Sequence, residues 1–199
     1  LVNPRACNET ELNYAPTPAR KRLAVVGAGP AGLAYATVAA QRGHAVTLFD
    51  SAPEIGGQFN LAKRIPGKEE FFETLRYYRR MIELHGIELR LGTRVEAAAL
   101  QAGGFDEVIV ATGITPRRPA LEGIDHPKVV SYLDVILGRQ PVGQRVVIMG
   151  AGGIGFDVAE LITHAGPSGA TDIHVFAREW GIDFANHPRG GVTGVVPQV

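Results

Sequence analysis

A glycine-spaced turn between a strand and a helix constrains this chain more than any other feature. Leu23–Val26 is a short apolar run, Gly27-Ala28-Gly29-Pro30-Ala31-Gly32 follows it, and Pro30–Arg42 is rich in Ala and Leu, with Gly43 at its exit. The run reads as a buried strand and the next stretch as a helix, because proline is tolerated in a first turn and glycine suits a helix exit. Ala45–Phe49 reads as a second strand ending at Asp50. Gly27 makes the tight turn, Gly29 lets backbone approach a pyrophosphate, and Gly32 lets the helix pack close to the strand. The helix start at Ala31–Gly32 offers free N–H groups and the positive end of its dipole to an anion. Asp50 can accept hydrogen bonds from ribose hydroxyls. The alternative, glycines serving only turn and packing, leaves the placed acid unexplained.

A second turn repeats the pattern. Gly150-Ala151-Gly152-Gly153-Ile154-Gly155 follows a predicted strand at Arg145–Met149 and opens a predicted helix at Ile154–Ala165. Gly27 and Gly150 lie much further apart than a solenoid repeat of roughly 20–50 residues, so they belong to two separate nucleotide-binding units. No clear acid follows the second turn. Arg178, after the predicted strand Ile173–Phe176, either neutralises a 2′-phosphate or is a solvated surface residue, and spacing does not choose between them. Glu54-Ile55-Gly56-Gly57-Gln58 lets a loop pass close to a bound adenosine diphosphate or is an ordinary glycine turn. Val108-Ile109-Val110 runs into Ala111-Thr112-Gly113, small residues that admit a cofactor nearby or simply end a strand.

The rest of the chain sets the organisation. Leu1–Arg20, with Pro4, Pro16 and Pro18, reads as a connecting arm. Ser51–Pro66 reads as a loop and Lys68–His85 as a long helix, with Gly86 as its exit residue. Ile87–Leu91, Arg94–Ala98 and Glu107–Ala111 read as strands, the last one buried. Thr115–Pro127 is a connection rich in Pro and Gly, Tyr132–Leu137 a short helix, and Gly181–Val199 has little pattern beyond turn residues. Alternating buried strands and helices give an α/β fold, Rossmann-like, with a mostly parallel sheet and helices on both faces. The expected units are an arm over 1–20, a first nucleotide unit over 21–119, and the incomplete start of a second over 120–199. The boundary is expected near Ile114–Pro119 or Pro141–Gln144.

Composition narrows the partners. Lys+Arg and Asp+Glu are 20 each, so there is no basic excess for an electrostatic nucleic-acid binder. The longest apolar stretch, Pro30–Ala40, is shorter than a bilayer span of about 20 residues and contains Tyr35 and Thr37, so no membrane span is expected. The single cysteine, Cys7, makes neither an intrachain disulfide nor a metal site, and the six histidines show no ligand spacing. With no signal peptide visible, a cytoplasmic location is expected. The chain starts at Leu1 rather than Met, and a piece of a longer polypeptide is expected.

The motifs resemble those of the two-dinucleotide-binding flavoproteins, and within that group the bacterial NADPH-dependent 2,4-dienoyl-CoA reductases. The similar stretches are LVNPRAC (Leu1–Cys7), VVGAGPAGLA (Val25–Ala34), VTLFD (Val46–Asp50), EIGGQFN (Glu54–Asn60), IPGKEEF (Ile65–Phe71), TLRYYRRMIE (Thr74–Glu83), GIDHPKV (Gly123–Val129), SYLDV (Ser131–Val135), GAGGIGFD (Gly150–Asp157) and EWGID (Glu179–Asp183). The resemblance implies that the first turn holds FAD and the second NADPH. The implied FAD residues are Gly27, Gly29, Pro30, Ala31, Gly32, Asp50, Ser51, Gly57, Gln58, Val95, Ala111, Thr112 and Gly113. The implied nicotinamide nucleotide residues are Gly150, Gly152, Gly153, Ile154 and Gly155. No catalytic or metal residue is assigned.

In that family an N-terminal TIM barrel with FMN and a 4Fe–4S cluster precedes the FAD/NADPH module. Hydride passes from NADPH to FAD, and electrons then pass singly through the cluster to FMN, which reduces the dienoyl-CoA. The implied partners of this chain are the barrel and the C-terminal part of the same polypeptide. The last cluster cysteine precedes the LVNPRAC element, so Cys7 maps to no cluster ligand. The basic residues that read the 2′-phosphate follow the EWGID insertion, beyond Val199, which moves the reading away from Arg178. The chain alone is expected to be inactive, to hold FAD weakly or not at all, and to be irregular after about Asp183. An amine dehydrogenase or enoate reductase carrying the same module is the nearer rival, and a non-catalytic nucleotide-binding fragment the more distant one. The EWGID insertion favours the dienoyl-CoA reductase.

Overall fold

The computed structural model describes residues 5–166 and 168–193. Of the expected arm, residues 1–4, including Pro4, lie outside the described residues, as does the end of the patternless tail, 194–199. The chain divides into two compact units, one within Leu1–Asn60 and Glu73–Pro119, the other within Leu61–Phe72 and Ala120–Val199. The segment Leu61–Phe72, inside the span that the sequence assigns to the first unit, clusters with the second.

The first unit is built on a parallel sheet of β1 (Arg22–Val26), β2 (Ala45–Phe49), β3 (Glu88–Arg90) and β4 (Glu107–Val110), in the order β3-β2-β1-β4. Leu23 stands opposite Val46 and Glu107, and Val25 opposite Leu48 and Ile109, so these side chains share one face. Helices α1 (Pro30–Gln41) and α3 (Phe71–Leu84) supply the crossovers β1→β2 and β2→β3. Both crossovers step the same way along the sheet, and right-handed connections put both helices on the same face. Their buried Leu33, Ala36, Leu75, Tyr78 and Ile82 pack there with Leu23, Val25, Val46 and Leu48. The return from β3 to β4 steps the other way and so crosses the opposite face. It carries α4 (Ala97–Ala102), whose exit Gly103 offers its carbonyl to Arg22 at 3.1 Å. Phe105 then meets the edge of Phe49 at 6.1 Å. On that same face Glu88 accepts from Thr47 and Arg90, and the Arg90 guanidinium holds the Glu88 carboxyl below its ordinary range.

The second unit carries α5 (Tyr132–Ile136), α6 (Gly153–Thr163), a 3₁₀ turn (Gly169–Thr171) and α7 (Ile173–Glu179). Its core is Ile65, Ile136 and Val158, with Leu61, Tyr132, Val135, Leu161 and Ile162 packed around them. From Gly181 to Thr193 no strand forms among the described residues; Ile182 and Val192 make an isolated antiparallel bridge.

Several expectations are corrected. Arg94–Ala98 is not a strand: α4 starts at Ala97, where three alanines and a leucine favour helix and offer no β-branched side chain. Ile173–Phe176 is the start of helix α7. Its N-cap Asp172 accepts from the N–H groups of His174 and Val175, bonds that hold its carboxyl below the usual range. Arg178 therefore lies in the last turn of a helix, not after a strand. Arg145–Met149 forms no strand; a strand exists by pairing, and this stretch is exposed with no partner strand among the described residues. β4 forms but is not buried: it is a sheet edge, with Val108 43% and Val110 72% exposed. The loop Ser51–Pro66 holds a one-turn helix, α2 (Phe59–Ala62). The arm is tied down, since the Thr17 N–H donates to the Arg42 carbonyl and Arg42 Nε to the Ala15 carbonyl.

Candidate functional site

In the first unit the strand order changes direction between β1 and β4. In open parallel sheets, ligands bind beyond the carboxyl ends of the strands at such a point. The glycine turn leaves β1 there. The Gly27 N–H donates to the Phe49 carbonyl at 2.7 Å, which draws the turn over the end of β2. Gly27 adopts φ +110°, and a Cβ on it would lie 2.2 Å from the Ala111 carbonyl oxygen at the end of β4. A Cβ on Gly32 would lie 1.8 Å from the Gly27 carbonyl oxygen. These two glycines are required by the protein's own packing.

Gly29 differs. Its backbone is ordinary (φ −78°, ψ −176°), and a Cβ would meet nothing nearer than the Gly57 Cα at 3.9 Å. It caps α1 without any side-chain hydrogen bond, with Pro30 in the first helical turn. The N–H groups of Ala31 and Gly32 have no carbonyl within the helix to bond. The result is a cradle that a Cβ at Gly29 would fill, with free donors and the helix dipole behind it. The residues present fit a pyrophosphate.

The surrounding candidates converge on this turn. The Gly56 N–H donates to the Ala28 carbonyl at 2.8 Å, and a Cβ on Gly57 (φ +51°) would lie 3.0 Å from the Gly29 Cα. The Glu54–Gln58 loop therefore rests on the glycine turn, with Gln58 exposed beside it. The Ala111 N–H donates to the Val26 carbonyl, bringing Ala111 and Thr112 alongside Gly27, with Gly113 the next residue along the chain. The Thr93 N–H donates to the Asp50 carbonyl at 2.8 Å, which sets the partly buried Val95 two residues from that bond. Ser51 is exposed next to Asp50.

Asp50 has a task that sequence reasoning missed. Its Oδ2 accepts from the Ala28 N–H at 2.6 Å and its Oδ1 from the Ala52 N–H at 2.8 Å. A carboxylate has about four acceptor positions, so two remain for ribose hydroxyls. The acid clasps the turn and keeps acceptor capacity beside it. Ala28, fully buried, carries two of the contacts that order the turn. Its side chain gives no signal, because its backbone does the bonding. Asp50→Ala removes two charge-assisted bonds of roughly 1.5–3 kcal/mol each. The variant is expected to melt earlier without FAD, and FAD titration is expected to show weaker retention. Unchanged melting and unchanged FAD affinity would remove both roles.

The second unit repeats the turn. Gly150 has φ +114°, near the +110° of Gly27. Gly152 caps α6 at φ −87°, ψ 180°, near the values of Gly29, again with no side-chain cap. A Cβ on Gly155 would lie 2.4 Å from the Gly150 carbonyl oxygen, as one on Gly32 meets Gly27. The Phe156 N–H donates to Gly152, as Leu33 does to Gly29. Gly153 and Ile154 are exposed in the first turn of α6. This turn fits a pyrophosphate on the same grounds, although no strand precedes it and no acid clasps it among the described residues.

No helix among the described residues is long and apolar enough to cross a membrane, and no group of three or more His, Cys, Asp or Glu could hold a metal ion.

The metal reductase of Desulforamulus reducens is 38% identical over an alignment of 173 residues, covering 83% of this chain and 25% of that protein. The cinnamate reductase of Clostridium sporogenes is 34% identical over 170 residues, covering 83% of this chain and 24% of that protein. Among solved structures, a 2-naphthoyl-CoA reductase in complex with 2-naphthoyl-CoA superposes with a TM-score of 0.75 at 38% identity, over 80% of this chain and 24% of that one. The chain thus spans about a quarter of the length of the relatives it matches. The family profile described as pyridine nucleotide-disulphide oxidoreductase matches residues 21–179, the stretch that contains both glycine turns. This chain, with its Rossmann-like FAD/NAD(P) fold, belongs to the pyridine nucleotide-disulphide oxidoreductase family.

Proposed function

We propose that this chain is the FAD- and NADPH-binding part of a reductase that converts a 2,4-dienoyl-CoA to an enoyl-CoA. The observation that carries the two-nucleotide reading is the pair of matching turns, each an uncapped helix start with an open glycine at its N-cap. The first turn, with Asp50 beside it, suits FAD, and the second suits NADPH. The substrate class is supported by the dienoyl-CoA reductase-like motifs and by likeness to a reductase whose structure holds an acyl-CoA thioester. FMN and a 4Fe–4S cluster would belong to a barrel elsewhere in the same polypeptide, and a C-terminal part would complete the module. A cytoplasmic location goes with this reading.

Bound FAD would supply hydride acceptance and onward electron transfer. The chain's own residues bind and orient. The N–H groups behind Gly29 and Gly152 neutralise pyrophosphate charge, Asp50 fixes a ribose, and the loop at Gly56–Gly57 closes over the first turn. The 34% identical cinnamate reductase favours a second reading, an enoate reductase with the same module.

The test uses the whole polypeptide that the gene encodes. A yellow protein whose flavin is bleached anaerobically by NADPH, and which then removes the diene absorbance of a 2,4-dienoyl-CoA, is the expected result. Turnover of cinnamate but not of the dienoyl-CoA would replace the reading with the second one. A colourless protein that binds nucleotide without redox chemistry would reduce it to a binding fragment.

A further inference from the structure

Helix α1 is anchored by a sheet: Leu33 and Ala36 are fully buried against β1 and β2. Among the described residues helix α6 has no such floor, because 145–149 forms no strand, and Val158 is the one residue of the helix that is buried. Part of what it rests on is the segment Leu61–Phe72. Ile65, 2% exposed, packs in one cluster with Val158 and with Ile136 of α5. Lys68 Nζ lies 2.6 Å from Oδ1 of Asp157, the residue before Val158 and one turn into α6. The Gly67 N–H donates to Ser168 Oγ at 3.2 Å, beyond the end of the helix.

We propose that Leu61–Phe72 is a strap that sets the orientation of α6, and that Lys68, acting through Asp157, is a positioning residue for the nicotinamide nucleotide. The inference rests on the reading of the second turn as the NADPH site. The apolar cluster of Ile65 and Val158, in which Leu161 and Ile162 of α6 also pack, is non-directional and fixes how close α6 lies more than how it is turned. The Lys68–Asp157 ion pair, on the residue before Val158, adds a directional contact that favours one orientation. Since the donors at Gly152–Gly155 lie at the start of α6, a roll of the helix turns them away from the pyrophosphate. The role is positional: Lys68 and Asp157 need touch no nucleotide.

The test compares Lys68→Met, which keeps the apolar stem, with Asp157→Asn and with the reversed pair Lys68→Asp/Asp157→Lys, all in the whole polypeptide. Hydrogen exchange of the amides of 154–163 reads the strap itself. The KM for NADPH against the limiting rate of flavin reduction reads its consequence. Lys68→Met is expected to speed α6 exchange and to raise KM about two- to fivefold, the scale of a half-exposed ion pair. The limiting rate and FAD content should hold, and the reversed pair should recover both α6 exchange and KM. Unaltered exchange in Lys68→Met, or a reversed pair no better than either single variant, overturns the strap. Altered exchange with an unmoved KM overturns the positioning role. If NADPH fails to reduce the wild-type flavin, the reading of the second turn falls, while the exchange data still decide the strap.

Discussion

Gly27→Ala is expected to abolish the folded first unit, whereas Gly29→Ala, two residues away, should leave it folded and unable to hold FAD. At Gly27 the added Cβ would be placed at φ +110° and 2.2 Å from the Ala111 carbonyl oxygen. The conformation alone costs an L-residue about 1–3 kcal/mol. The overlap is with backbone at the end of β4, which no rotamer change relieves. Relief means parting β4 from β1, and β4 has no other partner strand among the described residues. A loss of this kind is a large share of a domain's stability of about 5–15 kcal/mol. At Gly29 neither penalty applies, because φ is −78° and the nearest atom is 3.9 Å away. Its Cβ enters only the space meant for the pyrophosphate. Circular dichroism melts of both variants, with FAD fluorescence titrations, separate the effects. Matching melting curves for the two would show that the turn is not built as described, and full FAD affinity in a folded Gly29→Ala protein would remove the cradle.

The same contrast shows what the sequence makes legible. Strand, glycine turn, helix, strand and acid are local in the chain, and each is a matter of sterics over a few residues. That is why β1, α1, β2 and the places of Gly27, Gly32 and Asp50 are readable from residue types and spacing alone. The part of the site that depends on backbone partners is not. Nothing in the side chain of Ala28 indicates that its N–H feeds Asp50 and its carbonyl receives Gly56. The acid therefore looks free for a ribose when half its acceptor capacity serves the turn.

The misread elements have a common origin. Arg145–Met149, Ile173–Phe176 and Arg94–Ala98 are short runs in which a strand and a helix start look alike, and composition alone does not decide. What decides is context outside the run: a partner strand that 145–149 does not find among the described residues, an N-cap at Asp172, an alanine run beginning at Ala97. The departure of Leu61–Phe72 to the second unit is hidden for a related reason. Its anchors, Val158, Asp157 and Ser168, lie far away in sequence, and contact at such separation leaves no periodic trace.

Gly152→Val is expected to cut NADPH-driven flavin reduction sharply while leaving FAD content and folding near normal. The position has extended backbone, φ −87° and ψ 180°, which β-branched residues adopt readily, and apart from its chain neighbours no atom of the described residues lies within 4 Å of a Cβ there. The described fold therefore has room for a side chain to start here. The isopropyl group would stand at the open N-cap of α6, where a pyrophosphate must come within hydrogen-bond distance of the helix-start N–H groups. Loss of two such charge-assisted bonds, at the low end about 3 kcal/mol together, weakens nucleotide binding roughly 100-fold. Stopped-flow reduction of the flavin at rising NADPH concentration measures this directly, and dithionite reduction of the same sample checks that the flavin is present and competent. Gly155→Val is the fold-breaking counterpart, because its Cβ would fall 2.4 Å from the Gly150 carbonyl oxygen. If Gly152→Val instead loses FAD and keeps its nicotinamide response, the two turns hold the opposite cofactors. If it loses neither, the second turn is a helix entry with no nucleotide to bind.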